Sequence, residues 1–243
     1  MDIRKSTPLN LSLYALVTVG TVIGEVRGTH GLVYFCKPLM MLVLSSWFYF
    51  NSRRVGDRFT LLVQAGLLFS LMGDVALMLQ HRDEFNFLIG LSAFLIAQLC
   101  YAMAFLHNIV EAGQARGVLI STLIAVSLLT YGYFFASTIL PAVEETITIP
   151  VTIYAIAITV MGVTASFRLG RTFLRSFLFT MAGALCFILS DSLLATNRFL
   201  NPMDHAKWSV LLTYATAQVL ITSGALMHVL DPDEIRRKAA LST

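Results

Sequence analysis

Eight stretches of the chain are apolar for about 20 residues, the length of helix that crosses a hydrocarbon core about 30 Å thick. They lie at 10–26, 31–50, 59–80, 85–106, 117–138, 147–167, 175–196 and 206–229. None presents the polar face that a soluble domain needs. Short polar connections punctuate them: NSRRVGDR at 51–58, HRDE at 81–84, EAGQAR at 111–116, PAVEE at 141–145 and LNPMD at 200–204. The first stretch is the shortest and most polar. It follows a polar segment at 1–10 and precedes no small-residue cleavage site, so it reads as a retained membrane helix. No connection is long enough to separate domains. The pattern predicts an all-α, polytopic membrane bundle of eight transmembrane helices, one integral membrane domain over 1–243.

Composition agrees with lipid as the main solvent. Hydrophobic residues make up 57% of the 243 and charged residues 13%, against roughly 25% charged in an average soluble domain. Mean hydropathy is +0.76. The net charge of +3 is too small to suggest a nucleic-acid partner. Cys36, Cys100 and Cys186 fall within apolar runs and form no metal or redox spacing, which makes them packing residues.

The basic residues set an orientation. With the N-terminus cytoplasmic, the inner side holds Arg4, Lys5, Arg53, Arg54, Arg58, Arg116, Arg168, Arg171, Arg175, Arg236, Arg237 and Lys238. The outer side holds Arg27, Lys37, Arg82, Arg198 and Lys207. Twelve against five satisfies the positive-inside rule and places both termini in the cytoplasm. An odd number of spans would destroy this alternation.

A weak internal repeat marks the chemistry. AGLLFSLMGDVAL at 65–77 matches AGALCFILSDSLL at 182–194 through Ala-Gly, Leu68/Leu185, Asp74/Asp191 and Leu77/Leu194 at an offset of 117, which Arg58/Arg175 shares. The third and seventh helices are then equivalent members of two parallel four-helix halves, about 1–116 and 117–243. Sixteen residues of helix rise about 24 Å, so both aspartates lie at similar depth in the outer part of the bilayer. A lipid-facing aspartate costs at least about 2.5–3.5 kcal/mol, so the two are expected to face each other or a shared polar cavity. Gly66, Gly73, Ala182 and Gly183 leave room for close helix approach there.

Other intramembrane polar residues fit such a cavity: Gln98 and Tyr101 on the fourth helix, Ser190, Ser192 and Asn197 near Asp191, Tyr214 and Gln218 on the eighth. Each alone is better explained by interhelical hydrogen bonding. Lys37, before Pro38, is a cation for an anionic headgroup or for one of the carboxylates. Two carboxyls in a low-dielectric cavity do not both ionise easily, giving an acid beside a base. That pair suits cleavage of an activated ether or acetal-like bond, water activation against a peptide bond, or proton-coupled transport. The chain lacks GxSxG, HExxH, Walker-type and GxGxxG motifs, and His30, His81, His107, His205 and His228 have no ligand spacing, so no metal site is expected.

The segment GDVALML at 73–79, Phe87, Gly90-Leu91, Phe94 and AQLCYAMAF at 97–105 resemble the first signature of the YhhN-like lysoplasmalogenase family. SDSLLA at 190–195 with Phe199 resembles its second, and Lys37-Pro38-Leu39 with the Tyr214/Gln218 pair also fit. The resemblance covers nearly the whole chain. It implies an intramembrane ether hydrolase without a cofactor, which cleaves the vinyl ether of a lysophospholipid substrate to a fatty aldehyde and a glycerophospho-base. The family's essential aspartates map onto Asp74 and Asp191. One departure is Gln98, where the family often has His; if that His moves a proton, Gln98 cannot. The expected substrate-binding set is Lys37, Gln98, Tyr101, Ser190, Asn197, Tyr214 and Gln218. In a bacterium the expected location is the inner membrane.

Two other readings share the aspartates. A proton-coupled transporter is encouraged by the duplication. An intramembrane aspartyl protease has one aspartate in a Gly-Asp context like Gly73-Asp74, but Leu71 occupies the first Gly of GxGD, no PAL motif follows Asp191, and those enzymes use antiparallel helices.

Overall fold

The computed structural model describes residues 3–53, 55–83, 85–111 and 117–231. Eight helices among them are long and apolar enough to cross a membrane: α1 (Thr7–Arg27), α2 (His30–Ser52), α3 (Arg58–Met78), α4 (Phe85–Glu111), α5 (Val118–Ile139), α6 (Glu145–Ser166), α7 (Leu174–Ala195) and α8 (Ala206–Val229). Each coincides with one predicted apolar stretch. The largest difference is at the C-terminal end of α4, which continues to Glu111 rather than ending near 106. A π-helical turn at Thr196–Leu200 prolongs α7 and re-aims the chain toward α8. Arg54, Arg116, Arg236, Arg237 and Lys238, counted toward the orientation, lie outside the described residues, as do Glu84 and 112–116 of the predicted connections.

Boundaries follow from local chemistry. Gly28, at φ +67°, adopts the left-handed conformation that ends α1 and turns the chain directly into α2. The Asp57 side chain accepts a 2.8 Å hydrogen bond from the Thr60 N–H and caps α3.

In lipid no hydrophobic force draws apolar helices together, so association depends on close packing of small residues and on interhelical hydrogen bonds. α3 lies along α4, α7 along α8, α4 against α6, and α1 against α2. Gly66 faces the Tyr101 ring and Gly73 the Phe94 ring at the α3–α4 seam, where any side chain would overlap an aromatic face. At the α7–α8 seam Gly183 meets the backbone of Ala217 and Ile221, and Gly224 meets that of Ser176 and Thr180. Fully buried Met40, Leu44, Phe48, Phe59, Leu67 and Phe187 fill the centre. By contrast α5 packs mainly on α6 and turns Leu119, Leu123, Val126, Tyr133 and Phe134 outward, as a lipid-facing helix does.

Arg168 differs from its expected part as an inner-surface charge. It lies in the α6–α7 turn but is completely buried, donating 3.0 Å bonds to Asn108 Oδ1 and Ser176 Oγ and a further bond to Thr180. Its guanidinium also stands 5.2 Å from the Phe105 ring centre. Burial pushes its pKa down, to about 9. The residue ties α4, α7 and, through the Ser176–Gly224 bond of 2.7 Å, α8 into one unit.

Candidate active site

The packing of α7 on α8 and α3 on α4 leaves a cavity of about 380 Å³, closed on its far side by α5 and α6. That volume lies within the range of small-molecule sites, about 300–1,000 Å³. Asp74 of α3 and Asp191 of α7 both line it, as do Lys37, Ser190, Asn197 and Tyr214. Most of the remaining wall is apolar, including Leu91, Phe94, Leu128, Phe135, Ile158 and Ile188. The site therefore combines two carboxyls with a surface that would accept an alkyl chain.

The carboxyls have different partners. Asp74 is 2% exposed; its Oδ2 accepts a 2.7 Å bond from the Tyr214 hydroxyl, and its Oδ1 stands 3.9 Å from Lys37 Nζ. Asp191 accepts a short hydrogen bond from the Tyr154 hydroxyl, and no cation lies within ion-pair distance of it among the described residues. Its neighbour Ser192 accepts from Tyr131 at 2.7 Å. Thus a lysine on α2 flanks one carboxyl and a tyrosine on α6 flanks the other. Lys37 and Tyr154 are themselves separated by the repeat offset of 117.

Three predicted residues do not reach the cavity wall. Tyr101 donates to Gln218 Oε1 at 2.9 Å, and Gln218 Nε2 donates to Ser70 Oγ at 3.0 Å, forming a fully buried layer behind Asp74. Gln98 is also fully buried; it comes close to the Tyr154 hydroxyl without a well-formed hydrogen bond. This network spans α3, α4 and α8 and holds the helices that carry Asp74 and Tyr214 in register. Two lining residues have local structural bonds. Ser190 donates to the Val210 carbonyl at 3.0 Å, and Asn197 Oδ1 accepts from the Met203 N–H at 2.8 Å, fastening the turn before α8.

Tyr154 and Tyr131 are absent from the sequence-derived set. Both sit in apolar runs where a tyrosine reads as core or interface. The repeat offset carried one step beyond the aspartates would have found Tyr154, since it places position 154 opposite Lys37. Arg198 and Lys207, read only as outer-side charges, also line the cavity, together with Glu25 and Gln80. Lys37 is therefore not the only cation the cavity holds.

Fold and site together define a multi-pass membrane protein with a carboxylate-bearing, largely apolar intramembrane cavity. The sequence profile of the YhhN family matches residues 32–225, and the chain belongs to that family. It is 32% identical over 161 residues to the lysoplasmalogenase of Mycobacterium tuberculosis, covering 65% of this chain and 58% of the relative. It is 31% identical over 192 residues to lysoplasmalogenase TMEM86B of Sus scrofa, covering 79% and 74%, and 30% identical over 193 residues to that of Homo sapiens, covering 78% and 74%. The chain thus spans little more than half the length of the mycobacterial relative. No solved structure matches it significantly.

Proposed function

We propose that this protein is a membrane hydrolase that cleaves the vinyl ether bond of lysoplasmalogens, releasing a fatty aldehyde and a glycerophospho-base. The observation that carries the reading is the meeting of Asp74 and Asp191 on one apolar-walled cavity, in a chain whose relatives bear the name lysoplasmalogenase. Transport and peptide cleavage have no comparable support. If the organism is a bacterium, the enzyme sits in the inner membrane. The parallel four-plus-four duplication fits the repeated packing of α3 on α4 and α7 on α8.

The unequal surroundings suggest unequal roles. Lys37 at 3.9 Å attracts the Asp74 charge by about 4 kcal/mol at an effective dielectric near 20, before the cost of desolvating both groups. Tyr214 adds a hydrogen bond. Asp74 is therefore assigned as the carboxylate. Asp191, beside only neutral hydroxyls, is assigned as the acid. Its proton passes to the vinyl carbon distal to the ether oxygen; the π pair forms the new C–H bond, and an oxygen lone pair completes the oxocarbenium ion. The Asp74 carboxylate stabilises that cation and takes a proton from the water that attacks the carbon bearing oxygen. The resulting hemiacetal gives its hydroxyl proton to Asp191 and receives one from Asp74 on the glycerol oxygen. Aldehyde and alcohol separate, and both carboxyls regain their starting states. Tyr154 and Tyr214 position the two carboxyls.

The test is aldehyde release from alkenyl lysophosphatidylcholine and alkenyl lysophosphatidylethanolamine by the purified protein in detergent. Wild type is expected to produce aldehyde, and Asp74→Asn and Asp191→Asn to lose it by at least about 100-fold, the lower end of acid–base catalysis. A folded wild type inactive on both headgroups defeats the proposal.

A further inference from the structure

The cavity holds two cations that the reaction above does not use. Arg198 lies in the π-helical turn after α7, and Lys207 in the first turn of α8; both line the cavity and remain exposed. Neither is paired with a carboxylate among the described residues. Arg198 is nevertheless held in place. Its Nη1 donates to Gln80 Oε1 at 3.3 Å, and its guanidinium lies 3.7 Å from the centre of the Phe87 ring. The charged groups lining the cavity are Glu25, Lys37, Asp74, Asp191, Arg198 and Lys207. With Lys37 placed against Asp74, the end of the cavity beyond the carboxyls has two cations and one carboxylate, a net positive rim.

The cavity is therefore polar in a definite order: apolar wall, carboxyls, cationic rim. Seven residues along α7 and its terminal turn separate Asp191 from Arg198, a rise of about 10 Å. The glycerol carbons between a vinyl ether oxygen and a phosphorus, together with the reach of a long side chain, cover that separation. A planar guanidinium held on an aromatic face is suited to grip phosphate oxygens through two N–H groups, with the lysine as a second point charge.

Building on the reading of the site as a lysoplasmalogenase, we infer that Arg198 and Lys207 form a phosphate subsite that selects ether lipids carrying a phosphodiester head over neutral alkenylglycerols. Headgroup recognition then belongs to the rim, and Lys37 serves Asp74.

The test is a binding measurement that needs no turnover. The probes are 1-O-alkyl lysophosphatidylcholine, whose saturated ether cannot be protonated in this way, and 1-O-alkylglycerol of the same chain length. The purified full-length protein is titrated with each. Wild type is expected to bind the phospholipid about 10–100-fold more tightly, the range for charge-assisted hydrogen bonds. The double variant Arg198→Gln/Lys207→Gln should bring that ratio close to one while retaining alkylglycerol binding, which also reports that it is folded. Arg198→Lys alone should keep an intermediate ratio. The inference is overturned by a wild type without phosphate preference, by a double variant that keeps the ratio, or by one that weakens both probes equally. It is also overturned if inorganic phosphate alone binds the wild type as tightly as the phospholipid does, since the site would then be one for the free anion. Normal discrimination without any aldehyde release would instead count against the proposed reaction and leave the phosphate subsite standing.

Discussion

The close contact of α7 with α8 makes Gly183 an informative residue to change. A β-carbon there would stand 2.8 Å from the Ile221 backbone nitrogen and 2.9 Å from the Ala217 carbonyl oxygen. Ordinary non-bonded carbon contacts are about 3.5–4.0 Å, so Gly183→Ala forces the helices apart by roughly 0.5–1 Å. These two neighbours are backbone atoms and cannot rotate away, although the Ile221 Cγ1 atom, also at 2.8 Å, can. Overpacking of this kind costs about 1–3 kcal/mol, against which alanine's better helix propensity returns about 0.5–1 kcal/mol. The net cost is roughly 0.5–2 kcal/mol, so at about 2–4 °C per kcal/mol for a chain of this size the apparent Tm in detergent should fall by about 1–8 °C. Gly224→Ala should behave alike, because its β-carbon would meet the Thr180 nitrogen at 2.8 Å and the Ser176 oxygen at 3.0 Å. Gly31→Ala is the control: a β-carbon there meets nothing within 4 Å, so Tm should hold or rise. Thermal unfolding followed by tryptophan fluorescence reads all three. Separation at this seam also shifts α7, which carries Asp191, relative to α8, which carries Tyr214, so Gly183→Ala should lose activity beyond its loss of folded protein. If Gly183→Ala and Gly224→Ala unfold together with Gly31→Ala, the close-packed seam is wrong.

Three further outcomes follow from the same geometry. Lys37→Met removes the cation beside Asp74 and should lower kcat/KM for alkenyl lysophosphatidylcholine by about 100-fold or more, whereas Tyr154→Phe, losing one hydrogen bond to a carboxyl, should lower it by about 10–100-fold; wild-type rates in either would remove that residue from the site. Arg168→Ala should destabilise by about 3 kcal/mol or more through a new void and an unsatisfied Asn108 Oδ1, read by thermal unfolding; an unchanged Tm would deny the buried staple its part. In a variant without Cys36, Cys100 and Cys186, a cysteine at Thr172 should be shielded from an impermeant maleimide in intact cells and one at Asp204 labelled; the reverse pattern would invert the orientation.

The eight spans were legible because the bilayer imposes a length and a polarity that few other structures share. The aspartates stood out for the same reason: a carboxyl in the middle of an apolar helix needs an explanation, and the repeat supplied a second one at matching depth. Rotation of each helix about its axis was not legible, because it depends on which glycines meet which rings. Gln98, Tyr101 and Gln218 therefore resembled cavity residues, although packing turns them into the layer behind. Tyr154 was concealed for the opposite reason, its ring being unremarkable among Ile153, Ala155 and Ile156. Arg168 looked like a surface anchor because only the folded turn reveals the amide and hydroxyls that receive it. Arg198 and Lys207 read from the sequence as charges at one end of the bundle, but only the π-helical turn and the start of α8 bring both to the cavity.

The central claim is that a carboxylic acid protonates the vinyl ether carbon, and the position of the new hydrogen tests it most directly. Hydrolysis of alkenyl lysophosphatidylcholine is run in deuterium oxide, with the aldehyde trapped by reduction as it forms and examined by mass spectrometry. Wild type should yield a product carrying one deuterium at the carbon next to the former aldehyde carbon, and neither Asp74→Asn nor Asp191→Asn should yield it above background. Aldehyde without that deuterium, or labelled aldehyde formed equally well by the two variants, would contradict the account.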